Sequence, residues 1–297
     1  MSNETKGMLY GFVGICAFGL TLPVTKLSIP FLDPVFIGLG RAVFAAFFAA
    51  LLLIIYRQPI PTKSQFYKIS VVAIGVVVGF PVFSSIAMVY VPASHGGVIA
   101  GVLPLLTAIV GFLIGQERPS IGFWIVSAFG SGLVVLYALF QGAGQFHMGD
   151  FALLFAVVSA AVGYAVGGKL SKELGGWQVI CWALLVAFPF IIIPVFIYSP
   201  DSLSNIPVSI YSSFIYLVLV SQLFAFFVWY KGLAMAGIAR VSQTQLLQPF
   251  VTLFASALLL NEVIDSVMII FSILIVMTVW LGKKMPILVH LRSEGRE

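Results

Sequence analysis

Apolar stretches of about 20 residues, separated by short polar segments, fill nearly the whole sequence. A helix of that length rises about 1.5 Å per residue and therefore crosses the roughly 30 Å of hydrocarbon in a bilayer. Of the 297 residues, 61% are hydrophobic and 8% are charged, whereas about a quarter of the residues of a soluble domain are charged. These features exclude a soluble globular protein and predict an all-α polytopic membrane protein.

The sequence predicts ten transmembrane helices, which we call spans one to ten. Their predicted ranges are 7–28, 34–56, 66–89, 93–115, 119–140, 150–170, 177–199, 208–230, 238–260 and 263–282. Spans three and four are divided at residues 91–97, which form the only turn-like segment between Lys68 and Glu117. No small-residue cleavage site follows span one, so we interpret it as a retained helix and not as a signal peptide.

Basic residues set the expected orientation. With ten spans, 13 of the 15 Lys and Arg residues fall on the side of the chain ends, and the exceptions are Lys26 and Arg41. The positive-inside rule then predicts cytoplasmic termini in a cytoplasmic (inner or plasma) membrane. The basic residues punctuate apolar runs and form no basic stripe, so we expect the lipid bilayer and no nucleic acid as a partner.

Two patterns occur once in each half of the chain, in the same order. They are Lys-Leu-Ser at 26–28 and 169–171, and a proline with a glutamate 13 residues later, at Pro104 with Glu117 and at Pro249 with Glu262. Each half then holds five spans, an odd number, so the second half is inverted in the membrane. We expect one repeat at 1–142, an inverted repeat at 143–285 and a cytoplasmic tail at 286–297. Inverted repeats are typical of alternating-access transporters.

Further motifs carry a family resemblance. They are Asp33-Pro34 followed by Arg41 at the entry to span two, the segment 94–136 with Gly-Gln-Glu-Arg at 115–118, and a second copy around Pro249 and Asn261-Glu262. Over nearly its whole length the chain resembles the EamA-type branch of the drug/metabolite transporter superfamily. The resemblance implies a central cavity lined mainly by spans 1, 3, 4, 6, 8 and 9 and transport of small organic metabolites. The chain has Phe18-Gly19 where many members carry Trp-Gly, so it does not imply a particular substrate.

We therefore expect a transporter, in the direction of export, for small neutral, zwitterionic or amphipathic metabolites such as amino acids or aromatic compounds. Cofactors and metals are not expected, and the Gly-x3-Gly pairs indicate packing within a monomer. An uptake permease of the same fold is the nearest alternative. An intramembrane enzyme would need a nucleophile and base, or metal ligands, at one depth, and Ser131 has no evident base. A membrane scaffold would not require matched prolines in an inverted repeat.

The candidate substrate-binding residues are concentrated in span nine. Five of the seven residues at 242–248 have hydrogen-bonding side chains, which is unusual at membrane depth. Helical spacing places Gln245, Gln248 and Thr252 on one face, and Thr244 beside Gln248. Gln222 in span eight complements this face. The alternative is that these amides join helices to one another.

Aromatic side chains form the second group of cavity candidates. They are Phe18, Phe80, Phe83, Tyr90 and Tyr164. Packing within the bundle explains such residues equally. Trp229 and Tyr230 precede Lys231, so we interpret them as anchors at the membrane interface.

Charged residues near the membrane interior have two interpretations each. Arg41 either binds an anion or gates, or it bonds helix carbonyls and reaches the outer interface, which the resemblance favours. Lys26 either faces the cavity mouth or snorkels, and His95 either titrates as a gate or is structural. No carboxylate lies in the middle of a predicted span, which argues against a carboxylate-driven pump. We interpret Glu117 and Glu262 as residues that hold helix ends.

Pro104 and Pro249 lie at matching positions of spans four and nine. Each removes a backbone hydrogen bond and leaves a carbonyl free to accept from a ligand or water. Their symmetry predicts matched bends that move during access exchange. The alternative is that both prolines produce static kinks, which would account for the same two residues.

Overall fold

A computed structural model describes residues 2–114, 117–141, 147–202, 204–285 and 287–289. Within them, the helices group into ten spans that follow one another in the predicted order, and several spans consist of two or three helical segments. Spans one to five are Asn3–Gly19 with Thr21–Ser28; Pro34–Ile55; Lys63–Val72, Ala73–Gly79 and Phe80–Tyr90; Ala93–Ala100 with Leu103–Leu113; and Ile121–Gln141. Spans six to ten are Met148–Leu174; Gly176–Ile197; Val208–Ile215, Tyr216–Phe224 and Ala225–Ala236; Ile238–Val241, Ser242–Leu247 and Gln248–Leu260; and Ser266–Lys284.

The predicted all-helical fold class is confirmed, with one small addition. Seven of the described helices are long and apolar enough to cross a membrane. Three shorter apolar helices, Trp124–Phe140, Thr244–Leu260 and Ser266–Gly282, complete the set. The addition is a short antiparallel pairing of Glu117–Pro119 with Ile287–Val289. It involves part of the predicted tail, of which residues 286 and 290–297 lie outside the described chain.

Local sequence signals begin and end the helices. The Asp33 carboxylate accepts the Val35 N–H at 2.7 Å, and Pro34 occupies the first turn, where its missing N–H costs nothing. Span six ends at Gly175 and span eight at Gly237, whose φ angles of 97° and 89° suit a residue without a Cβ atom. The prediction that span eight ends at residue 230 was wrong, because the helix continues to that glycine.

Short connections make consecutive spans antiparallel, which defines two ends of the bundle. The terminal end holds residues 2–7, 56–63, 117–119, 174–176, 236–238, 284–285 and 287–289, and the distal end holds residues 28–34, 90–93, 147–148, 197–202, 204–208 and 260–266. Glycines allow close packing within the chain. A Cβ atom added at Gly7 would meet Ala236 at 2.6 Å, and one at Gly163 would collide with Val76.

Irregular helical geometry repeats between the two halves. Spans three and eight each contain a π-helix, Ala73–Gly79 and Tyr216–Phe224. Spans four and nine are each interrupted, and their second segments begin at Leu103 and Gln248, which are 145 positions apart, the same separation as the two prolines. These shared irregularities are the structural counterpart of the sequence repeat.

Candidate functional site

Spans four and nine meet in the interior of the bundle. A Cβ atom added at Gly97 would meet the Thr252 side chain at 2.6 Å, and one at Gly101 would meet the Pro249 ring at 3.2 Å. Pro104 and Pro249 each lie in the first turn of the second segment of their span. Both spans are therefore interrupted instead of bent at a single residue within a continuous helix. Interrupted helices leave backbone groups available in the interior.

The predicted polar face of span nine is buried. Gln245, Gln248, Thr244 and Thr252 all have little exposure. Gln245 lies in a 3₁₀ segment at 242–247, and Gln248 begins the α-helical segment that follows it. Thr252 donates to the Gly19 carbonyl at 2.8 Å, and Thr244 donates to a carbonyl one turn earlier in its own span at 2.7 Å. Thr252 thus joins span nine to span one, while the Thr244 hydrogen bond stays within span nine.

The two span-nine amides differ from the threonines. Both polar atoms of Gln245 and the Oε1 atom of Gln248 are buried without a hydrogen-bond partner in the described part of the chain. A buried polar atom left unpaired costs about 1–3 kcal/mol. These atoms are therefore available to a ligand or to water.

Gln222 lies in the π-helix of span eight and is almost fully buried. Its Nε2 atom donates to the Val76 carbonyl in the π-helix of span three at 3.3 Å. The neighbouring Ser221 shares a 2.8 Å hydrogen bond with Thr21 of span one. Gln222 thus joins the two π-helices, as expected if these amides join helices to one another.

Aromatic rings from spans one, six and eight form one cluster. The Phe18 ring lies 6.0 Å from that of Tyr164 and 6.4 Å from that of Trp229, and the Tyr164 and Trp229 rings are 5.4 Å apart. Tyr230 adds a hydroxyl that donates to the Gly163 carbonyl at 3.1 Å. Trp229 and Tyr230 are fully buried. Their interpretation as interfacial anchors was wrong, because span eight continues past Lys231 and turns them inward.

The other aromatic candidates lie apart from this cluster. Tyr90 is 57% exposed at the distal end. Phe80 is half-buried against the hydrophobic core, and the Phe83 ring contacts Phe155, 5.5 Å away, on the exposed flank of span six. The structure therefore brings together Phe18 and Tyr164 of the predicted aromatic set and leaves Tyr90 on the surface.

Arg41 is the most deeply buried cation described. Its side chain is 1% exposed, and its Nε and Nη1 atoms make no hydrogen bond within the described residues. The guanidinium interacts electrostatically with the Tyr164 hydroxyl. The Nε and Nη1 atoms of Arg41 therefore neither bond carbonyls of the described helices nor reach the outer interface, as one of the two interpretations had them do.

Lys26 and Glu262 connect segments at the distal end, and we call them, with the backbone of residues 88–94, the distal clasp. The Lys26 ammonium donates to the carbonyls of Met88 and Val91 at 2.7 and 3.0 Å. The Glu262 carboxylate accepts the N–H groups of residues 93 and 94, both at 2.9 Å. The clasp thus satisfies the last carbonyls of span three and the first N–H groups of span four. Glu262 holds a helix end in this geometry.

His95 is buried inside span four instead of lying in an open turn. Its Nε2 atom is 2.6 Å from Oδ1 of Asp150, and its ring stacks on Tyr137 with centroids 5.1 Å apart. The second Asp150 oxygen accepts the His147 N–H at 2.9 Å. Sequence reasoning missed Asp150. A usable signal was its place at the start of an apolar span, where a charge needs a partner.

A cavity of about 760 Å³ opens at the terminal end. Its lining comes from spans one, two, six, seven and eight and includes Tyr10, Tyr56, Ser171, Trp177, Gln178, Phe227 and Lys231. The Lys231 ammonium lies 4.6 Å from the centre of the Tyr10 ring, a cation–π distance. This cavity is aromatic and polar, and it lies opposite the distal clasp.

Some predicted residues cannot be placed. The side chains of Glu117, Arg240 and Gln243 lie outside the described part of the chain. Among the residues that are described, no three His, Cys, Asp or Glu side chains cluster as metal ligands.

Comparison with known proteins agrees with the fold and the repeat. Residues 5–139 and 147–282 each match the EamA-like transporter family. The chain is 43% identical over 279 residues to the uncharacterized transporter YdeK of Bacillus subtilis (strain 168), covering 94% of this chain and 97% of YdeK. It is 24% identical to protein PecM of Dickeya dadantii (strain 3937), covering 90% of each.

The fold also matches a solved structure. A solved crystal structure superposes on this chain with a TM-score of 0.68 at 17% sequence identity, covering 94% of this chain and 96% of the other. At this identity the match supports the fold alone. The two family matches, the transporter relatives and the multi-pass helical bundle lead to one conclusion: the chain belongs to the EamA-like transporter family and is a membrane transporter.

Proposed function

We propose that the protein exports small organic metabolites, such as amino acids or aromatic or amphipathic compounds, by alternating access through a central cavity. The observation that carries this proposal is the interior meeting of spans four and nine, two interrupted helices at equivalent positions of inverted repeats. Transporters bind substrates beside such discontinuous helices at the repeat interface. The unpaired amides of Gln245 and Gln248 lie on the span-nine side of this meeting point.

The distal clasp supports a state that is closed at the distal end. By the repeat, Lys169 corresponds to Lys26, and residues 233–238 correspond to residues 88–93. Gly168, beside Lys169, packs against Leu233 and Ile238 of that second segment. No hydrogen bond or ion pair of Lys169 falls among the described residues. The clasp is thus formed at the distal end, where a cavity with apolar lining also lies, while the aromatic and polar cavity lies at the terminal end. In the opposite state, we expect Lys169 and Glu117 to form the equivalent clasp at the terminal end.

The positive-inside rule assigns the terminal end to the cytoplasm. The open cavity then faces the cytoplasm, from which an exporter loads its substrate. We propose a cytoplasmic membrane location, a monomer, and no enzymatic step. Uptake is the alternative direction.

Thermal stability of the purified protein, followed by counterflow in liposomes, tests this function. The panel contains amino acids, aromatic amines, nucleosides, sugar phosphates and polyamines. A ligand at about 100 times its Kd adds about 2.7 kcal/mol to the native state, so binding is visible. We expect one chemical class to give a saturable shift that weakens in Gln248→Ala and persists in the matched control Gln65→Ala, whose side chain caps the start of span three at the terminal end.

Counterflow of the same class, with the compound recovered chemically unchanged, separates a transporter from an intramembrane enzyme. Failure of every compound to shift the stability or to cross the liposome membrane would contradict the proposal and favour a scaffold. Uptake without release from right-side-out vesicles would contradict export while leaving transport in place.

A further inference from the structure

Arg41 has no counter-charge within the described part of the chain. It is the eighth residue of span two, about 10 Å below its distal start at 1.5 Å per residue. Burying a lone ion is costly unless it is paired, hydrogen-bonded or hydrated. No carboxylate contacts the guanidinium in the described part of the chain, and its Nε and Nη1 atoms have no acceptor there. A ligand or water must therefore supply an acceptor that the described residues do not.

A second buried donor also lacks an acceptor within the described residues. The indole Nε1 atom of Trp229 is buried without a hydrogen-bond partner among the described residues. Tyr164 lies within electrostatic range of the Arg41 guanidinium, and its ring is 5.4 Å from that of Trp229. Spans two and eight thus each contribute a buried donor that is unpaired among the described residues, to the same region of the interior. A cluster of donors that includes one cation is suited to an anionic oxygen.

The surroundings restrict the anion further. Phe18, Tyr164 and Trp229 present aromatic surface, which favours an apolar or aromatic body. A second cation in the distal half, Lys26, is already bonded to two carbonyls, so Arg41 supplies a single positive charge. One guanidinium neutralises one carboxylate in a bidentate geometry, whereas a phosphate group carries a charge of about −1.5 to −2 at pH 7. An organic cation would be repelled.

We propose that Arg41 binds the carboxylate of the transported molecule and that Phe18, Tyr164 and Trp229 bind its aromatic or apolar body. This proposal rests on the transport function proposed above and names the substrate class. The substrate is a monocarboxylate, with or without an amino group.

Three probes of one shape test the role of the carboxylate on the wild-type protein. They are 3-phenylpropionate, its neutral amide 3-phenylpropionamide, and the cation phenethylamine. We expect a saturable thermal shift with the acid and at least about tenfold weaker binding of the amide and the amine, the ratio expected for loss of a charge-assisted bidentate contact. Equal affinity for the acid and the amide would overturn the proposal without any variant.

Two substitutions then locate the contact. Arg41→Lys keeps the charge but loses the planar fork, and Arg41→Gln loses both. We expect acid affinity to fall in the order wild type, Arg41→Lys, Arg41→Gln, with no preference for acid over amide in Arg41→Gln. Lys68→Gln is the matched control, because Lys68 is a half-exposed cation at the terminal end, 2.8 Å from Glu173, and it should leave acid affinity unchanged.

The outcomes distinguish this proposal from the transport function. A folded Arg41→Gln protein with wild-type affinity for the acid would overturn the role of Arg41. Counterflow of the amide or amine without preference for the acid would overturn the carboxylate but leave transport in place. Binding of the acid through Arg41 without counterflow would support the site and contradict transport. If Arg41→Gln does not fold, the acid and amide comparison on the wild type decides.

Discussion

The distal clasp predicts that Glu262→Gln opens the distal end. The carboxylate accepts two backbone N–H groups of span four, from Ala93 and Ser94, both at 2.9 Å, and each charge-assisted hydrogen bond contributes about 1.5–3 kcal/mol. A glutamine keeps one neutral acceptor, which retains about 1 kcal/mol. The substitution should therefore cost the clasped state about 2–5 kcal/mol. At 1.4 kcal/mol per factor of ten, the population of that state relative to the unclasped state falls roughly 30- to 4,000-fold.

A cysteine reporter measures this change. Ser94 is fully buried at the closed end, and its hydroxyl makes no hydrogen bond within the described residues, so Ser94→Cys is a mild substitution. The chain has two native cysteines, Cys16 and Cys181, and replacing both by alanine gives the background. We expect a membrane-impermeant thiol reagent to modify the reporter slowly when Glu262 is present and at least about tenfold faster in Glu262→Gln.

A nearby carboxylate at the same end provides the control. Asp265 accepts the Met268 N–H at 2.6 Å within its own helix and contacts no other span through this bond. Asp265→Asn should reduce stability by about 1 kcal/mol or less and leave the reporter rate unchanged. Equal reporter rates for Glu262→Gln and the wild type would refute the reasoning, because the carboxylate would then contribute nothing to closure.

Other predictions concern packing and buried charge. Gly97→Val should lower the melting temperature, because its side chain would collide with that of Thr252, where even a Cβ atom approaches to 2.6 Å, and overpacking costs about 1–3 kcal/mol; Gly132→Ala, with no atom within 4 Å, should not. Asp150→Ala should cost about 1–3 kcal/mol in thermal unfolding, because it leaves a buried imidazole without its hydrogen-bond partner at 2.6 Å; a loss below 1 kcal/mol would contradict this. Lys68→Ala should change the unfolding free energy by less than about 1 kcal/mol, since its ion pair is 32% and 40% exposed, and a larger loss would contradict that estimate.

The order and length of the spans could be predicted because the bilayer imposes them. A hydrocarbon layer of fixed thickness requires apolar segments of about 20 residues, and the charges between them mark the boundaries. The prediction was wrong where a charge lies inside a helix. Lys231 indicated the end of span eight, yet its ammonium packs over the Tyr10 ring and the helix continues to Ala236.

The residues of the candidate site could be predicted only in part. The polar density of span nine indicated Gln245 and Gln248, and both are buried with unpaired atoms. The surroundings of Arg41 and the pairing of His95 with Asp150 could not be predicted, because they depend on contacts between spans far apart in sequence. Depth along one helix gives no information about such partners.

The differences between the two repeats explain how a pseudo-symmetric bundle can hold an asymmetric ligand. An offset of 145 residues aligns Ala100 with Gln245 and Leu103 with Gln248, so the amide groups of span nine correspond to apolar side chains in span four. Two identical repeats would present the same chemistry on both sides of the interior. Here the shared interruptions preserve the geometry that relates two access states, while one wall offers hydrogen bonds and the other offers apolar contact. A ligand bound between them must itself be amphipathic, which agrees with a carboxylate on an aromatic or apolar body.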